Sequence, residues 1–222
     1  MLRLKILTRW RTKATLYFDI CREYSQEYKE CFDEVLDLSD NESWERLGKD
    51  KEHILYYTFR IKDKEKLWAK AVTFGAMCLE AFIYDYAAHN LSDTYTRKYL
   101  DKLDLISKWV IIPRLVTGKI LPRESQAFEH LKRLVKERNE LVHPKSSVLP
   151  PVSLKDIENR KIFDVYFRPG IEKDIERDKY GLNPYETVVE VLTKLQKLER
   201  DETGTRWWQL KEVDPEQRWE CL

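Results

Sequence analysis

The chain is poor in the residues that interrupt a backbone. Only 6 glycines and 8 prolines occur among its 222 residues. Long stretches also lack the apolar–polar alternation of strands, so the expected class is all-helical. Cysteine is sparse too: Cys21, Cys31, Cys78 and Cys221 are scattered without a CxxC spacing. That pattern reads as reduced thiols in a cytosol rather than a disulfide framework or a zinc site, and no metal or other cofactor is implied. An excess of one charge is missing as well. Forty Lys and Arg against 39 Asp and Glu leave a net +1, so no global field advertises nucleic acid or membrane, and any such contact must come from a local patch. The segment Met1-Leu2-Arg3-Leu4-Lys5-Ile6-Leu7 is too short, and too soon interrupted by Arg9 and Arg11, for a signal peptide. A cytoplasmic protein is expected, built as one domain with appendages or one domain with a small satellite.

What is present is helical periodicity, with no internal repeat and no low-complexity tract. From Lys13 to about Leu38, the residues Leu16, Ile20, Tyr24, Tyr28, Cys31, Val35 and Leu38 recur at threes and fours, which predicts a long amphipathic helix. Ser39-Asp40-Asn41-Glu42 breaks it. Residues 43–62 carry Trp44, Tyr56, Tyr57 and Phe59, and the run from Ile54 to Phe59 is open between helix and short strand. A central helix is expected from Lys64 to Asn90, because between Ala71 and Ala88 only Glu80 and Asp85 are charged. Two acids in a span of barely sufficient length favour a soluble core helix over a membrane span.

Ser92 or Asp93 can cap a following helix that presents Leu100, Leu103, Ile106, Trp109 and Val110 until Pro113 ends it, with a turn at Gly118. Pro122, in a first turn with Glu124 or Glu129, opens another helix, which His143 must close because it directly precedes Pro144. Residues 146–152, with Pro150-Pro151, read as a linker and residues 161–168 as a short strand. Asn183-Pro184-Tyr185-Glu186 starts a helix through Val188, Val191, Leu192, Leu195 and Leu198. Trp207, Trp208 and Trp219 are expected to pack back onto the body.

Arg138 breaks the apolar pattern of its helix. On a wheel of about 100° per residue, Ala127, Phe128, Leu131, Leu134, Val135, Leu141 and Val142 share one face, and Arg138 lies in its middle. A guanidinium cannot shed its charge, so the position calls for a carboxylate, a partner subunit or a phosphate. Asp85, on one stripe with Leu67, Phe74 and Cys78, or Glu80 could supply the acid if the two helices pack together; alternatively each acid snorkels to the bundle edge.

Arg138, Asn139 and His143 form an R-x4-H spacing with a polar residue after the arginine. Arg46 to His53 and Arg123 to His130 match the looser R-x6-H form, so spacing alone separates nothing. Context does: the adjacent Asn139, the helix-terminal His143 before Pro144, and the arginine on an apolar face. In these features the segment resembles the HEPN (higher eukaryotes and prokaryotes nucleotide-binding) superfamily, over roughly residues 64–148. The resemblance implies a HEPN-like helical bundle over residues 1–148, here with a long N-terminal helix and a mostly helical extension at 149–222. It further implies a homodimer whose two motifs face one cleft, and metal-independent cleavage of RNA in a defence or toxin–antitoxin setting.

In that chemistry the 2′-hydroxyl attacks the adjacent phosphate, which needs proton transfer and a cation over the developing charge. His143 would be the acid or base, Arg138 would hold the phosphate, and Asn139 would orient either. Lys132, Lys136 and Lys145 could add phosphate contacts, although Glu137 and Glu140 alternate with the basic residues of this stretch and weaken the field. Toxins of the family that continue as H-x-Y are modified on the tyrosine by a nucleotidyltransferase antitoxin. Here Pro144 and Lys145 follow, so a cognate antitoxin would be of another type. A different class of reading is a non-catalytic helical module that binds a protein or nucleotide and uses Arg138 to order its interface.

Overall fold

The computed structural model describes residues 13–38, 51–143 and 183–203. The expected linker at 146–152, the strand at 161–168, the tail tryptophans, Lys145 and Cys221 lie outside them. Among the described residues every regular element is helical: α1 (Ala14–Leu38), α2 (Lys51–Leu91), α3 (Asp93–Tyr95) running into a π-helical turn at Thr96–Leu100, α4 (Leu105–Thr117), α5 (Gln126–Val142) and α6 (Pro184–Thr203).

Helix α2 is the axis on which α1, α4, α5 and α6 all pack. Its helical path starts at Lys51, so the open stretch from Ile54 to Phe59 is helix. Apolar residues at nearly every angle of its C-terminal half are buried, including Val72, Ala76, Leu79, Phe82, Ile83 and Ala87. The stretch Phe59–Leu91 is long and apolar enough to cross a membrane, yet half of its most apolar window is buried inside the bundle.

The seam between α1 and α2 is heptad-like. Ala14, Cys21, Ser25, Tyr28, Phe32 and Val35 are buried on α1, and Ile61, Lys64, Trp68, Ala71, Gly75, Cys78 and Phe82 on α2. Both sets step by alternating threes and fours, or by their sum, as side chains of two helices crossing at a shallow angle do. The helices run antiparallel, since Cys31 meets Arg60, Cys21 meets Ala71 and Ala14 meets Cys78. The face expected for α1 is therefore rotated: Leu16 is 51% exposed and Ser25 is buried in its place.

Each described cysteine donates its thiol hydrogen to a carbonyl of the opposite helix: Cys21 to Ala71 and Cys78 to Ala14 at 3.4 Å, and Cys31 to Arg60 at 3.5 Å. They are free and buried, and they act as small apolar residues with one weak donor. Burial pushes the Cys21 thiol up to about 12 and raises Cys31 and Cys78 as well. Opposite Cys21, Gly75 lets four helices converge. A Cβ there would lie 3.2 Å from Cys21 Sγ, and 3.6 Å from both Leu134 on α5 and Pro184 on α6.

Three expected boundaries shift. Ser92 adopts φ 99° and caps only the short α3. Asp104 then starts a separate helix, accepting from the Ser107 backbone N–H at 3.0 Å and its hydroxyl at 2.5 Å. A competing side-chain cap of this kind divides what periodicity alone reads as one helix. Pro113 does not end α4; it is buried inside it, and Gly118 at φ 74° closes the helix one turn later. Pro122 precedes α5 rather than opening it: its carbonyl accepts from Ser125, the true N-cap. At the other end of the bundle, Asn183 Oδ1 caps α6 by accepting from the N–H groups of Tyr185 and Glu186. Val188, Val191, Leu192 and Leu195 are then buried, as their spacing predicts.

Candidate functional site

Helix α5 carries the Arg138 segment, and its first three turns are anchored. Ala127, Phe128, Leu131 and Leu134 are buried, Val135 packs against the core, and Ser125 caps the N-terminus. The last turn is not covered: Leu141 is 40% and Val142 54% exposed. The apolar face read from the helix wheel thus continues beyond the part of the bundle that covers it.

Arg138 is half-buried at this transition. One guanidinium nitrogen donates to Asn139 Oδ1 at 3.1 Å, so the two polar residues of the segment are coupled to each other. The expected acid does not reach Arg138. Glu80 instead accepts from Lys108 on α4 at 3.0 Å, and the Lys108 ammonium also lies 3.7 Å from Asp101. Lys108 has only 3% of its side chain accessible, and this buried cation is the partner that Glu80 serves. Asp85 has a partner of its own, and no hydrogen bond or ion pair is seen between it and Arg138. The physical reason lies in the geometry of α4: it packs on α2 and brings its own lysine to Glu80, while α5 ends away from that acid.

His143 ends the helix as the residue before a proline should, leaving the α region at φ −123° and ψ 63°. Its backbone N–H still donates to the Asn139 carbonyl at 2.9 Å, while its side chain is exposed. Asn139 is therefore joined to Arg138 through its side chain and to His143 through its backbone. The predicted phosphate contacts are engaged along their own helix. Lys132 pairs with Glu129 at 2.5 Å and Lys136 with Glu140 at 3.9 Å. Exposed pairs of this kind hold by about 0–1 kcal/mol, so an arriving phosphate can displace the acids.

Of the two looser spacing matches, Arg123 to His130 separates into unrelated roles. His130 is 6% exposed, and its Nδ1 lies 2.9 Å from Glu190 Oε2, tying α5 to α6. Arg123 lines an open groove with Lys132. The apolar context of His130 was readable, but not its carboxylate, which lies 60 residues on. Arg46 is outside the described residues, and no side-chain placement is described for His53.

The arrangement at the end of α5 presents a planar cation, an amide and an imidazole on an uncovered helix terminus. Those groups can hold an oxyanion and move a proton. Comparison with models of protein families, with curated proteins and with solved structures gives no match to this chain.

Proposed function

We propose that the protein is a metal-independent endoribonuclease of the HEPN type that acts as a cytoplasmic homodimer. Arg138 clamps the scissile phosphate, Asn139 holds the guanidinium in place, and His143 transfers the proton as the 2′-hydroxyl attacks. The observation that carries this reading is that Arg138 has no carboxylate partner among the described residues. Among the described residues its guanidinium hydrogen-bonds to Asn139 and to no acid, which leaves the fork available for an anion. The exposed Leu141 and Val142 beside it supply apolar area through which a second copy could complete the cleft. A toxin–antitoxin or defence role, with a cognate antitoxin protein, belongs to the same proposal.

The test is cleavage of a diverse RNA mixture by the purified chain in EDTA. Wild type is expected to cut, and His143→Ala to cut about 10²–10⁴-fold more slowly, the usual contribution of a positioned acid or base. Arg138→Ala should fall comparably, with circular dichroism showing that both variants fold. An inactive wild type, or variants that cut as well as wild type, overturns the proposal.

The same exposed pair, Leu141 and Val142, also favours a non-catalytic helical interaction module in which Arg138 orders a protein contact. Dimer geometry separates the readings: in the nuclease both His143 side chains line one solvent-open groove, while the module needs no such approach.

A further inference from the structure

We infer that the groove between α4 and the start of α5 docks an acidic amphipathic helix of a partner protein. It involves none of Arg138, Asn139 and His143, although Lys132 borders both sites.

The groove has a volume of about 470 Å³, with Ile106, Val110, Ile111 and Phe128 as its apolar lining and Arg123 and Lys132 at its basic edge. Ile111 of the lining and, further along the chain, Leu115 and Ile120 are 36%, 47% and 47% exposed. Ile111 and Leu115 lie one helical turn apart on α4, so they present a stripe rather than isolated side chains.

Charge selects the occupant. From Leu105 through Arg123 the chain contains no Asp or Glu, but it contains Lys108, Arg114, Lys119 and Arg123. Lys108 is consumed inside the bundle by Glu80. Arg114 and Arg123 are exposed and have no ion pair among the described residues. Arg114 sits one turn from Val110 on the outward side, so the aliphatic stripe is flanked by arginines. A helix with apolar anchors at i and i+4 fits the groove, and acids beside those anchors meet the arginines.

The other occupants match less well. Single-stranded RNA needs exposed aromatic faces to stack on, and the groove's aromatic side chain, Phe128, is only 4% exposed while its exposed side chains are aliphatic. A bilayer is flat and does not fill a concave groove. A symmetric contact with a second copy sets a cationic face against itself.

The experiment is selection from a display library of short helical peptides on the full chain, with counter-selection on Ile111→Asp/Leu115→Asp. Enriched peptides are expected to carry Leu, Ile or Phe one turn apart and Asp or Glu beside them. Their Kd should rise about tenfold in Arg123→Glu, equivalent to roughly 1.4 kcal/mol, and rise again with added salt. These substitutions lie on exposed positions, and circular dichroism checks that the variants fold. Failure to enrich, enrichment without acids, or binding that ignores Arg123→Glu overturns the inference. So does a wild-type dimer that Leu115→Asp dissolves, which would make the face a self-interface. Binding to phosphatidylserine vesicles that Leu115→Asp abolishes overturns it as well, in favour of a membrane surface.

Discussion

Lys108 carries an ammonium into the core and meets Glu80 and Asp101 at its tip. The two ends of that ion pair are not equivalent. Glu80 is 43% exposed and can turn to water if its partner is removed, whereas Lys108 is 3% exposed and cannot. Glu80→Gln should therefore destabilise the fold by about 1–3 kcal/mol, the cost of weakening a hydrogen bond to a buried charge. Lys108→Met should cost less, and the double variant should resemble Lys108→Met alone. Urea unfolding of the three variants checks this; strictly additive losses would contradict it. That Arg138 needs an anion and that Glu80 and Asp85 need cations was legible in the sequence, but their pairing was not. A helix wheel reports which residues share a face and is silent on where the neighbouring helix stops. Here the covering of α5 ends before its last turn, and the acid Glu80 is claimed by Lys108 of another helix.

The α1–α2 seam is the element in which sequence periodicity and packing diverged. Threes and fours along α1 were plain, but a face with Leu16 and one with Ser25 fit them almost equally. The choice was made by α2, whose small positions at Ala71 and Gly75 admit Cys21 and Ser25. The three seam thiols turn this packing into something measurable. Burial raises all of them, Cys21 to about 12, and only a thiolate reacts readily with an alkylating reagent. At pH 8 in native buffer, Cys21, Cys31 and Cys78 should be alkylated far more slowly than in urea, with mass spectrometry locating the label. Rapid labelling of Cys21 and Cys78 in the folded chain would mean that the seam opens freely. The helix boundaries were legible where a side chain caps the backbone, as Asn183 does for α6, and misread where Asp104 starts a helix inside an apparently continuous pattern.

Across the whole molecule, acid should weaken the fold through carboxylates that are hydrogen-bonded only when it is folded. Asp104 lies below its ordinary value because it accepts from the Ser107 hydroxyl and backbone. Glu34 is lowered because it accepts from Tyr56 and Arg60, joining α1 to α2. A lowered folded-state value means that the unfolded chain binds protons more readily. The stabilisation is present above the ordinary carboxylate range, near pH 4, and is lost as pH falls through the lower folded values. Thermal midpoints should hold from pH 7 to about 5 and then drop, and Asp104→Asn with Glu34→Gln should flatten that drop. An unchanged profile in the double variant would remove these groups from the account. The all-helical class was legible in the whole chain from the scarcity of glycine and proline. The convergence of four helices at Gly75 was not, because it depends on contacts among residues far apart in sequence. That convergence also bears on synthesis. The wall of the junction that holds α5 is completed by Pro184, and α5 is tied to α6 through His130 and Glu190. A chain still emerging from the ribosome holds the Arg138 segment before it holds the residues that seat its helix, so α5 is fixed on the bundle only after residues 184–190 have been made.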